Sequence, residues 1–255
     1  MKKPLILVVN DDGLNAPGIR KLISIMNDFG EVLVVAPNSS QSGKSHAITI
    51  ESTIRCDKVI IDNGPQIEYS CSGTPVDCVK LAFNKLIPRK PDLCVSGINH
   101  GSNSSINVIY SGTMAAAVEG ALEGVPSIGF SLLDYSINAN FSESEKYIRK
   151  ITQSILTNGL PEGVCLNVNI PKSLDGQNIK GIKICRQAKA NWIEEFDERK
   201  DPKDKKYYWL TGKFINYDNG DDTDEKALEN HYVSVVPVKY DLTDYNVISK
   251  LNHIL

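Results

Sequence analysis

The chain has 255 residues, of which 41% are hydrophobic and 23% charged, and its formal net charge is -3. This length can bury a sizeable core, in one large domain with an appendage or in two small domains. The charge balance favours neither nucleic acid nor an anionic membrane as a partner, so an anionic substrate would need a local positive focus such as a metal ion.

Targeting signals are weak. No stretch reaches the roughly 18 apolar residues that cross a bilayer, and the apolar run at residues 5–9 is too short for a signal peptide. The six cysteines form no CxxC pair and lie mostly in apolar segments, which indicates reduced thiols rather than disulfides or a zinc site. We therefore expect a cytoplasmic protein.

Apolar runs alternate with amphipathic segments through the first half of the chain. Residues 5–10 (LILVVN) predict a strand, residues 17–30 a helix and residues 31–37 a second strand. Pro17 suits the first turn of that helix, and Gly30 suits its C-terminal cap. This rhythm predicts a parallel sheet with crossover helices.

A β excursion then interrupts the winding. Residues 47–72 show short alternating strands, with Asn63-Gly64 as the turn of a hairpin. The helical and strand patterns resume afterwards. They predict helices at 75–87, 111–124 and 142–158, and strands at 92–98, 126–132 and 164–171.

The sequence changes character after residue 171. Residues 172–222 are polar, and the strand-like segment 207–214 predicts a projecting hairpin, followed by a strand at 232–238 and a helix at 243–254. Its aromatic residues are more typical of a subunit contact or a substrate rim than of a nucleic-acid platform; they are Trp192, Phe196, Tyr207, Tyr208 and Trp209.

The predicted fold class is α/β: a Rossmann-like, doubly wound, mostly parallel sheet with a β-hairpin excursion. We expect residues 1–171 to form the catalytic core. Residues 172–255 are expected to form a C-terminal extension, with the hairpin, final strand and helix serving oligomerisation.

Four polar loops fall at the carboxyl edge of the predicted sheet, where ligands of such folds bind. They are NDDG (10–13), PNSSQSGKSH (37–46), SGTP (72–75) and SGINHGSNSS (96–105). Asp11 and Asp12 are adjacent like charges at a strand tip, which is unfavourable unless a cation lies between them. Oxygen ligands without a Cys or His cluster favour Mg²⁺ or Mn²⁺. The alternative is that Asp-Asp-Gly is a turn with a helix cap.

The other loops offer neutral groups. Ser42 and its neighbour Gly43 could present a hydroxyl and backbone N–H groups to an anion or a metal-bound phosphate, unless the loop is simply a flexible surface segment. Asn99 follows a buried strand, where its amide carbonyl could complete an oxygen cage, or its side chain could cap a helix. His46 and His100 flank these loops, although a lone loop histidine is more often a surface residue.

Residues 111–113 (SGT) open a helix of small residues. The free N–H groups and the positive dipole end of such a helix form a phosphate site, and an ordinary N-cap at Ser111 is compatible with that role. No GxGxxG or GxxxxGK[ST] follows the first strand, and no GxSxG is present, so a dinucleotide site, a P-loop and a nucleophile elbow are not supported.

The ordered motifs VNDDGxxxxG, APxxxQSGxSHxIT, CSGTPxDCVKLA, SGINxGxN and YSGTxxAAxEG resemble the SurE survival-protein family of metal-dependent nucleotidases. They cover mainly residues 5–131, and RQAKANWIEEFDERKDP, KKYYWLTG and YVSVVPV extend the resemblance towards the C-terminus. The resemblance implies one divalent metal ion (Mg²⁺ or Mn²⁺) per subunit, held by Asp11, Asp12, Ser42 and Asn99. It assigns catalysis to Asp11 and Asp12. The implied phosphate contacts are Ser42, Gly43, Asn99, Ser111, Gly112 and Thr113.

The activity implied by the resemblance is hydrolysis of nucleoside 5'- and 3'-monophosphates, sometimes of short polyphosphate, by a cytoplasmic 5'-nucleotidase. Homodimers or homotetramers built through the C-terminal region are implied as well. The chain departs from the family pattern at Ser105, where a Gly is usual, at Asn107, where an Asp is usual, and at Asn38, which replaces a common Asp.

Two other function classes remain in view. A non-catalytic, metal-dependent nucleotide or phosphate sensor could use the same oxygen cage, and the departures at Ser105 and Asn107 keep this alternative open. A glycosyltransferase would also hold a metal with paired acidic residues. The position of the acidic pair after the very first strand argues against it.

Overall fold

The structure is a computed structural model and describes residues 2–136, 138–173 and 178–254. Its main feature is a nine-stranded sheet in the order β3-β4-β2-β1-β5-β6-β7-β11-β8. These strands are β1 (Leu5–Val9), β2 (Glu31–Pro37), β3 (Cys56–Val59), β4 (Ile67–Cys71), β5 (Leu93–His100), β6 (Ser127–Leu132), β7 (Val164–Ile170), β8 (Ile182–Ile184) and β11 (Val233–Lys239). A separate antiparallel pair consists of β9 (Ala190–Lys200) and β10 (Lys206–Asn216).

The six adjacent strands β4, β2, β1, β5, β6 and β7 run parallel, whereas β3 is antiparallel to β4 and β11 is antiparallel to β7. Strand β8 runs parallel to β11. The predicted α/β fold with a mostly parallel sheet is therefore confirmed. The helices are α1 (Pro17–Met26), α2 (Pro75–Leu81), α3 (Gly112–Leu122), α4 (Ser142–Asn158), α5 (Asp224–Glu229) and α6 (Tyr245–Leu251).

Successive side chains of a buried strand point to opposite faces of the sheet, so a hydrophobic core forms on each face. In β1, Ile6 and Val8 pack with α1 and α4 on one face, while Leu7 and Val9 pack with α2 and α3 on the other. A strand covered on both faces must be apolar throughout, which is why β1 and β2 read as continuous hydrophobic runs. The doubly wound arrangement follows from that pattern.

Helix α1 ends earlier than predicted. Its C-cap is Asn27, so the expectation that Gly30 caps the helix is wrong. Glycine at position 30 instead allows the backbone to pass close to Pro4, because a Cβ there would lie 2.1 Å from the Pro4 carbonyl oxygen. Helix α1 does start with Pro17, as predicted.

The β excursion is shorter than predicted. Only β3 and β4 form, and residues 60–66, which include Asn63-Gly64, connect them. The preceding residues are bonded to the start of α2: the Thr49 hydroxyl donates to Asp77 at 2.6 Å, and the Thr74 hydroxyl donates to the Ala47 carbonyl at 2.7 Å. The Thr49 N–H also donates to Asp77, at 3.1 Å, so this N–H and the Ala47 carbonyl are not free to pair in a strand. The helix predicted at 75–87 is α2 followed by a π-helical turn, Ala82–Leu86.

The C-terminal part contributes to the sheet as well as to the hairpin. Strand β11 pairs with β7, and β8 adds to β11 at the edge. Strand β8 was not predicted because it has only three residues, and helix α5 was not predicted because it is short and polar. The division into residues 1–171 and 172–255 stays a prediction.

None of the helices in the described residues is long and apolar enough to cross a membrane, and all six cysteines are free thiols.

Candidate active site at the β1–β5 edge

The chain order reverses between β1 and β5. From β1 the chain winds outward to β2 on one side, and later returns to place β5 on the other side of β1. Such a reversal leaves a crevice beyond the carboxyl ends of the two strands, where ligands of open α/β sheets bind. Asp11 and Asp12 follow β1, and Asn99 lies near the end of β5, so the crevice is lined by three of the predicted site residues.

Asp11 is buried against the start of α3, with only 3% of its surface exposed. The hydroxyl of Thr113 donates to its Oδ1, and Gly112 packs so closely that a Cβ there would lie 2.7 Å from the Asp11 Cβ. Burial raises the pKa of the Asp11 carboxyl from 3.8 to about 6, against the lowering effect of the Thr113 hydrogen bond, and the neighbouring Asp12 charge raises it further. An ionised Asp11 is therefore unfavourable in the protein alone.

Asp12 is half-buried beside the end of β5. The backbone N–H of His100 donates to its Oδ2 at 3.3 Å. Burial raises the pKa of Asp12 above its ordinary value, although the His100 N–H opposes that shift. The ionised forms of Asp11 and Asp12 are therefore both less favourable here than in water. A cation bound between the two side chains would stabilise them.

Asn99 lies on an irregular part of β5. The pairing of β5 with β6 shifts register between Ser96 and Asn99, and such bulges redirect side chains at sheet edges. The Asn99 amide nitrogen donates to the Gly101 carbonyl at 3.0 Å. This bond uses the nitrogen, so the amide oxygen is the atom that remains available to a cation.

Ser42 and Gly43 lie on an exposed loop whose two ends are fastened. At one end, the N–H of Gln41 donates to the Asp11 carbonyl at 2.7 Å. At the other end, Ser45 donates from its N–H to the Tyr110 carbonyl at 3.1 Å and from its hydroxyl to the Ile109 carbonyl. The loop is thus tied to both the Asp11 segment and the residue before α3.

Helix α3 begins beside Asp11. The Ser111 hydroxyl caps it by accepting from the N–H of Met114 at 3.0 Å. The cap interpretation of Ser111 is therefore correct, and it is compatible with anion binding because the N–H groups of Gly112 and Thr113 precede the capped one. Eleven residues long, α3 presents the positive end of its dipole to the crevice.

These groups fit a hard divalent cation. In the described ranges no three His, Cys, Asp or Glu side chains are grouped as a metal centre; the crevice instead offers two carboxylates and the neutral oxygens of Ser42 and Asn99. Such a donor set suits Mg²⁺ or Mn²⁺ better than zinc. The four ligand assignments stay predictions, as do the phosphate contacts.

The two histidines occupy different environments. His46 contacts Glu119 through Nε2 at 2.8 Å, and Lys80 contacts the other carboxylate oxygen of Glu119. Glu119 is buried in α3, so its contact with His46 fastens the loop that contains Ser42 to the helix. The sequence analysis did not assign a role to Glu119. The signal that could have identified it is a single glutamate in a helix of small residues. His100 stacks edge-on against Phe141, with ring centroids 5.3 Å apart.

The departures Ser105 and Asn107 lie in a 3-10 turn, Ser105–Ile109. The Ser105 N–H donates to Asp224 at 2.7 Å, and its hydroxyl donates to the Ala188 carbonyl at 2.9 Å. The Asn107 side-chain oxygen accepts from Trp192 Nε1 at 2.8 Å. Both residues therefore dock the base of the β9–β10 hairpin against the sheet.

Comparisons with known proteins agree on one family. The family model described as survival protein SurE matches residues 6–194. A protein of Christiangramia forsetii named 5'-nucleotidase SurE is 64% identical over 252 residues, covering 98% of this chain and 96% of its own. A protein of Flavobacterium psychrophilum with the same name is 62% identical over 253 residues, covering 99% and 98%.

A solved structure is similar along its whole length. The crystal structure of the SurE protein from Aquifex aeolicus superposes with a TM-score of 0.83 at 38% sequence identity. The superposition covers 98% of this chain and 99% of that one. The similarity therefore includes the C-terminal part as well as the core.

Proposed function

The chain belongs to the survival protein SurE family, and from this membership we propose that it is a 5'-nucleotidase that hydrolyses nucleoside 5'-monophosphates to nucleoside and phosphate. The observation that carries the proposal is the crevice at the β1–β5 edge, where the buried Asp11 carboxylate lies against the N-terminus of α3. Nucleoside 3'-monophosphates and short polyphosphate carry the same terminal phosphoryl group and are proposed as further substrates.

We propose that one divalent ion, Mg²⁺ or Mn²⁺, is held per subunit by Asp11, Asp12, Ser42 and Asn99. Support comes from the raised pKa of both carboxyls, which a cation would lower, and from the amide oxygen that Asn99 leaves available. When bound, such an ion supplies Lewis-acid activation of the phosphoryl group and of the attacking water.

The chain's own groups bind and orient the substrate. In this proposal the N–H group of Gly112 donates to a phosphate oxygen at the positive end of α3, and the Ser42–Gly43 loop donates as well. The Thr113 hydroxyl holds Asp11 in one orientation. Asp11 or Asp12 accepts a proton from the attacking water as the water oxygen bonds to phosphorus. The ester P–O bond breaks, and the leaving oxygen takes up a proton and departs as the nucleoside hydroxyl.

The direct test is phosphate release from AMP or GMP by the purified chain with Mn²⁺ or Mg²⁺. We expect turnover, loss of turnover with EDTA, and near-complete loss in Asp11→Ala. Full activity in Asp11→Ala would defeat the metal assignment. Metal-dependent binding of nucleotide without any phosphate release would favour the sensor instead.

Thr113 offers a matched pair of variants. Thr113→Val removes the hydroxyl that holds Asp11 without changing the side-chain volume much, and we expect kcat to fall by about 10- to 100-fold, the usual range for a residue that orients a metal ligand. Thr113→Ser keeps the hydroxyl and is expected to restore most of the activity. Equal activity of the two variants would show that the hydrogen bond to Asp11 has no role.

We also propose that the chain forms a homodimer or homotetramer through its C-terminal region. Helix α6 buries none of its residues, and Leu242, Phe196 and Trp209 are exposed on the neighbouring segment and the hairpin. Exposed apolar side chains that lie together on a surface are typical of subunit contacts. Light scattering of the full chain is expected to give a dimer or tetramer mass, and a monomer at tens of micromolar would contradict the proposal.

A further inference from the structure

A cleft of about 500 Å³ separates the β9–β10 hairpin from the core. Gly43 and Tyr110 line it on the core side, and Trp192, Glu194, Leu210 and Gly212 line it on the hairpin side. The volume is in the range of small-molecule sites, which are mostly apolar with a few polar groups. Apart from Gly43, which is a proposed phosphate contact, the mechanism above gives these lining residues no role.

The cleft adjoins the proposed phosphate contacts. Gly43 belongs to the Ser42 loop, and Tyr110 immediately precedes Ser111 at the start of α3. The N–H of Ser45 donates to the Tyr110 carbonyl, so the loop and Tyr110 are held together. A molecule with its phosphate at α3 would therefore extend its remaining part along this wall.

The hairpin side presents an aromatic ring in a fixed orientation. Trp192 is 37% exposed. Its indole N–H is bonded to Asn107, and its ring contacts Phe214 edge-on at 5.6 Å. These contacts fix the ring while leaving part of it open to the cleft. Bases stack on exposed, pre-oriented aromatic rings of this kind, because every base has a π-face.

Gly212 lies on the same wall of the cleft and lets the two strands of the hairpin pack closely beside the tryptophan. Gly212 pairs with Glu194 across the hairpin, two residues from the Phe214–Trp192 pair. A Cβ at Gly212 would lie 2.5 Å from the Ile193 carbonyl oxygen, so the strands leave no space for a side chain here.

We propose that this cleft binds the base of the nucleoside monophosphate, stacked against Trp192 and Tyr110. The inference rests on the proposed function and adds to it the site that recognises the nucleoside. Glu194 supplies the polar contact. As an ionised carboxylate it only accepts hydrogen bonds, so it favours bases with an exocyclic amino group (adenine, guanine and cytosine) over uracil, which has none.

The first test compares two substrates that differ only in the base. The ratio of kcat/KM for AMP to kcat/KM for ribose 5-phosphate is measured in the full chain and in Trp192→Ala. Removal of one base–aromatic stack is expected to lower this ratio by about tenfold. Trp209→Ala is the matched control, because Trp209 is an exposed tryptophan of the same hairpin outside the cleft, and it is expected to leave the ratio unchanged.

Tyr110→Ala provides a second variant from the opposite wall, and it keeps the backbone bonds of Tyr110. It is expected to lower the same ratio. Glu194→Gln adds an amide donor and is expected to lower the preference for AMP over UMP by about tenfold, as for one hydrogen bond to a charged group.

The outcomes separate this inference from the proposed function. If the wild-type chain hydrolyses neither AMP nor ribose 5-phosphate, the proposed function fails. If both are hydrolysed and the ratio is unchanged in Trp192→Ala and Tyr110→Ala, the base site is refuted while the nucleotidase stands. A parallel loss for both substrates would also overturn it, since the rings would then act on the phosphate end.

Discussion

Replacing Asp11 by asparagine should stabilise the metal-free protein while abolishing its metal response. Asp11 is buried, and burial raises its pKa from 3.8 to about 6. The folded carboxyl therefore binds its proton more tightly than the unfolded one. The resulting destabilisation is absent below pH 3.8, develops as the pH rises, and is complete above about pH 6.

The size of the effect follows from the shift. At about 1.4 kcal/mol per pKa unit, a rise from 3.8 to about 6 corresponds to a destabilisation on the order of 3 kcal/mol at pH 8. Asparagine removes the charge and its repulsion with Asp12, and its amide oxygen can still accept from the Thr113 hydroxyl. We expect most of that free energy of unfolding to be recovered in Asp11→Asn.

Urea unfolding in EDTA at pH 5 and pH 8 measures this difference. The free energy of unfolding of Asp11→Asn should exceed that of the wild type clearly at pH 8 and by less at pH 5. Saturating Mn²⁺ should reverse the order at pH 8, because only the wild type gains stability from the ion. Asp57→Asn, on the exposed edge strand β3, is the control for removing a surface carboxylate.

Two results would refute the reasoning. A variant less stable than the wild type at pH 8 in EDTA would show that the Asp11 charge is already satisfied by the protein. An equal gain of stability from Mn²⁺ in Asp11→Asn and the wild type would show that the ion does not bind this carboxylate.

Two further stability predictions concern packing around the site. Burial would raise the pKa of Glu119, but its hydrogen bonds to His46 and Lys80 hold that pKa below the ordinary 4.5. Glu119→Ala should therefore lower the free energy of unfolding by about 2 kcal/mol at pH 7. In urea unfolding this loss should shrink below pH 4.5. Gly18→Ala should lose about 2 kcal/mol or more, because a Cβ would lie 1.9 Å from the Ile98 carbonyl oxygen. A lowered urea midpoint is the expected readout, and wild-type stability would contradict it.

Hydrophobic pattern predicted the buried elements well, because a strand covered on both faces and a helix with one apolar stripe leave clear signals. Strand β2 and helix α4 have the predicted bounds. The pattern failed where other forces decide the structure. Residues 47–49 bond to the start of α2 rather than to a strand, and the position of Gly30 is decided by contact with Pro4.

The site residues were predicted from loop position and family resemblance, and the structure adds what ties the loops together. Those ties are hydrogen bonds between residues far apart in sequence: Thr113 to Asp11, His100 to Asp12, and His46 to Glu119. No local pattern encodes them. The sequence offered two carboxylates and several polar loops, but not which backbone groups hold them at one edge.

The departures from the family pattern illustrate the same point most directly. In the sequence, Ser105 and Asn107 were a missing glycine and a missing carboxylate beside the site, and they kept the alternative of a non-catalytic sensor open. In the structure they bond to the base of the hairpin, Asn107 through the indole N–H of Trp192. An aspartate at position 107 would accept the same bond, so asparagine keeps the contact while removing a negative charge near a site for an anionic substrate. The substitution at position 107 is therefore compatible with catalysis, and the phosphate-release assay decides between the nucleotidase and the sensor.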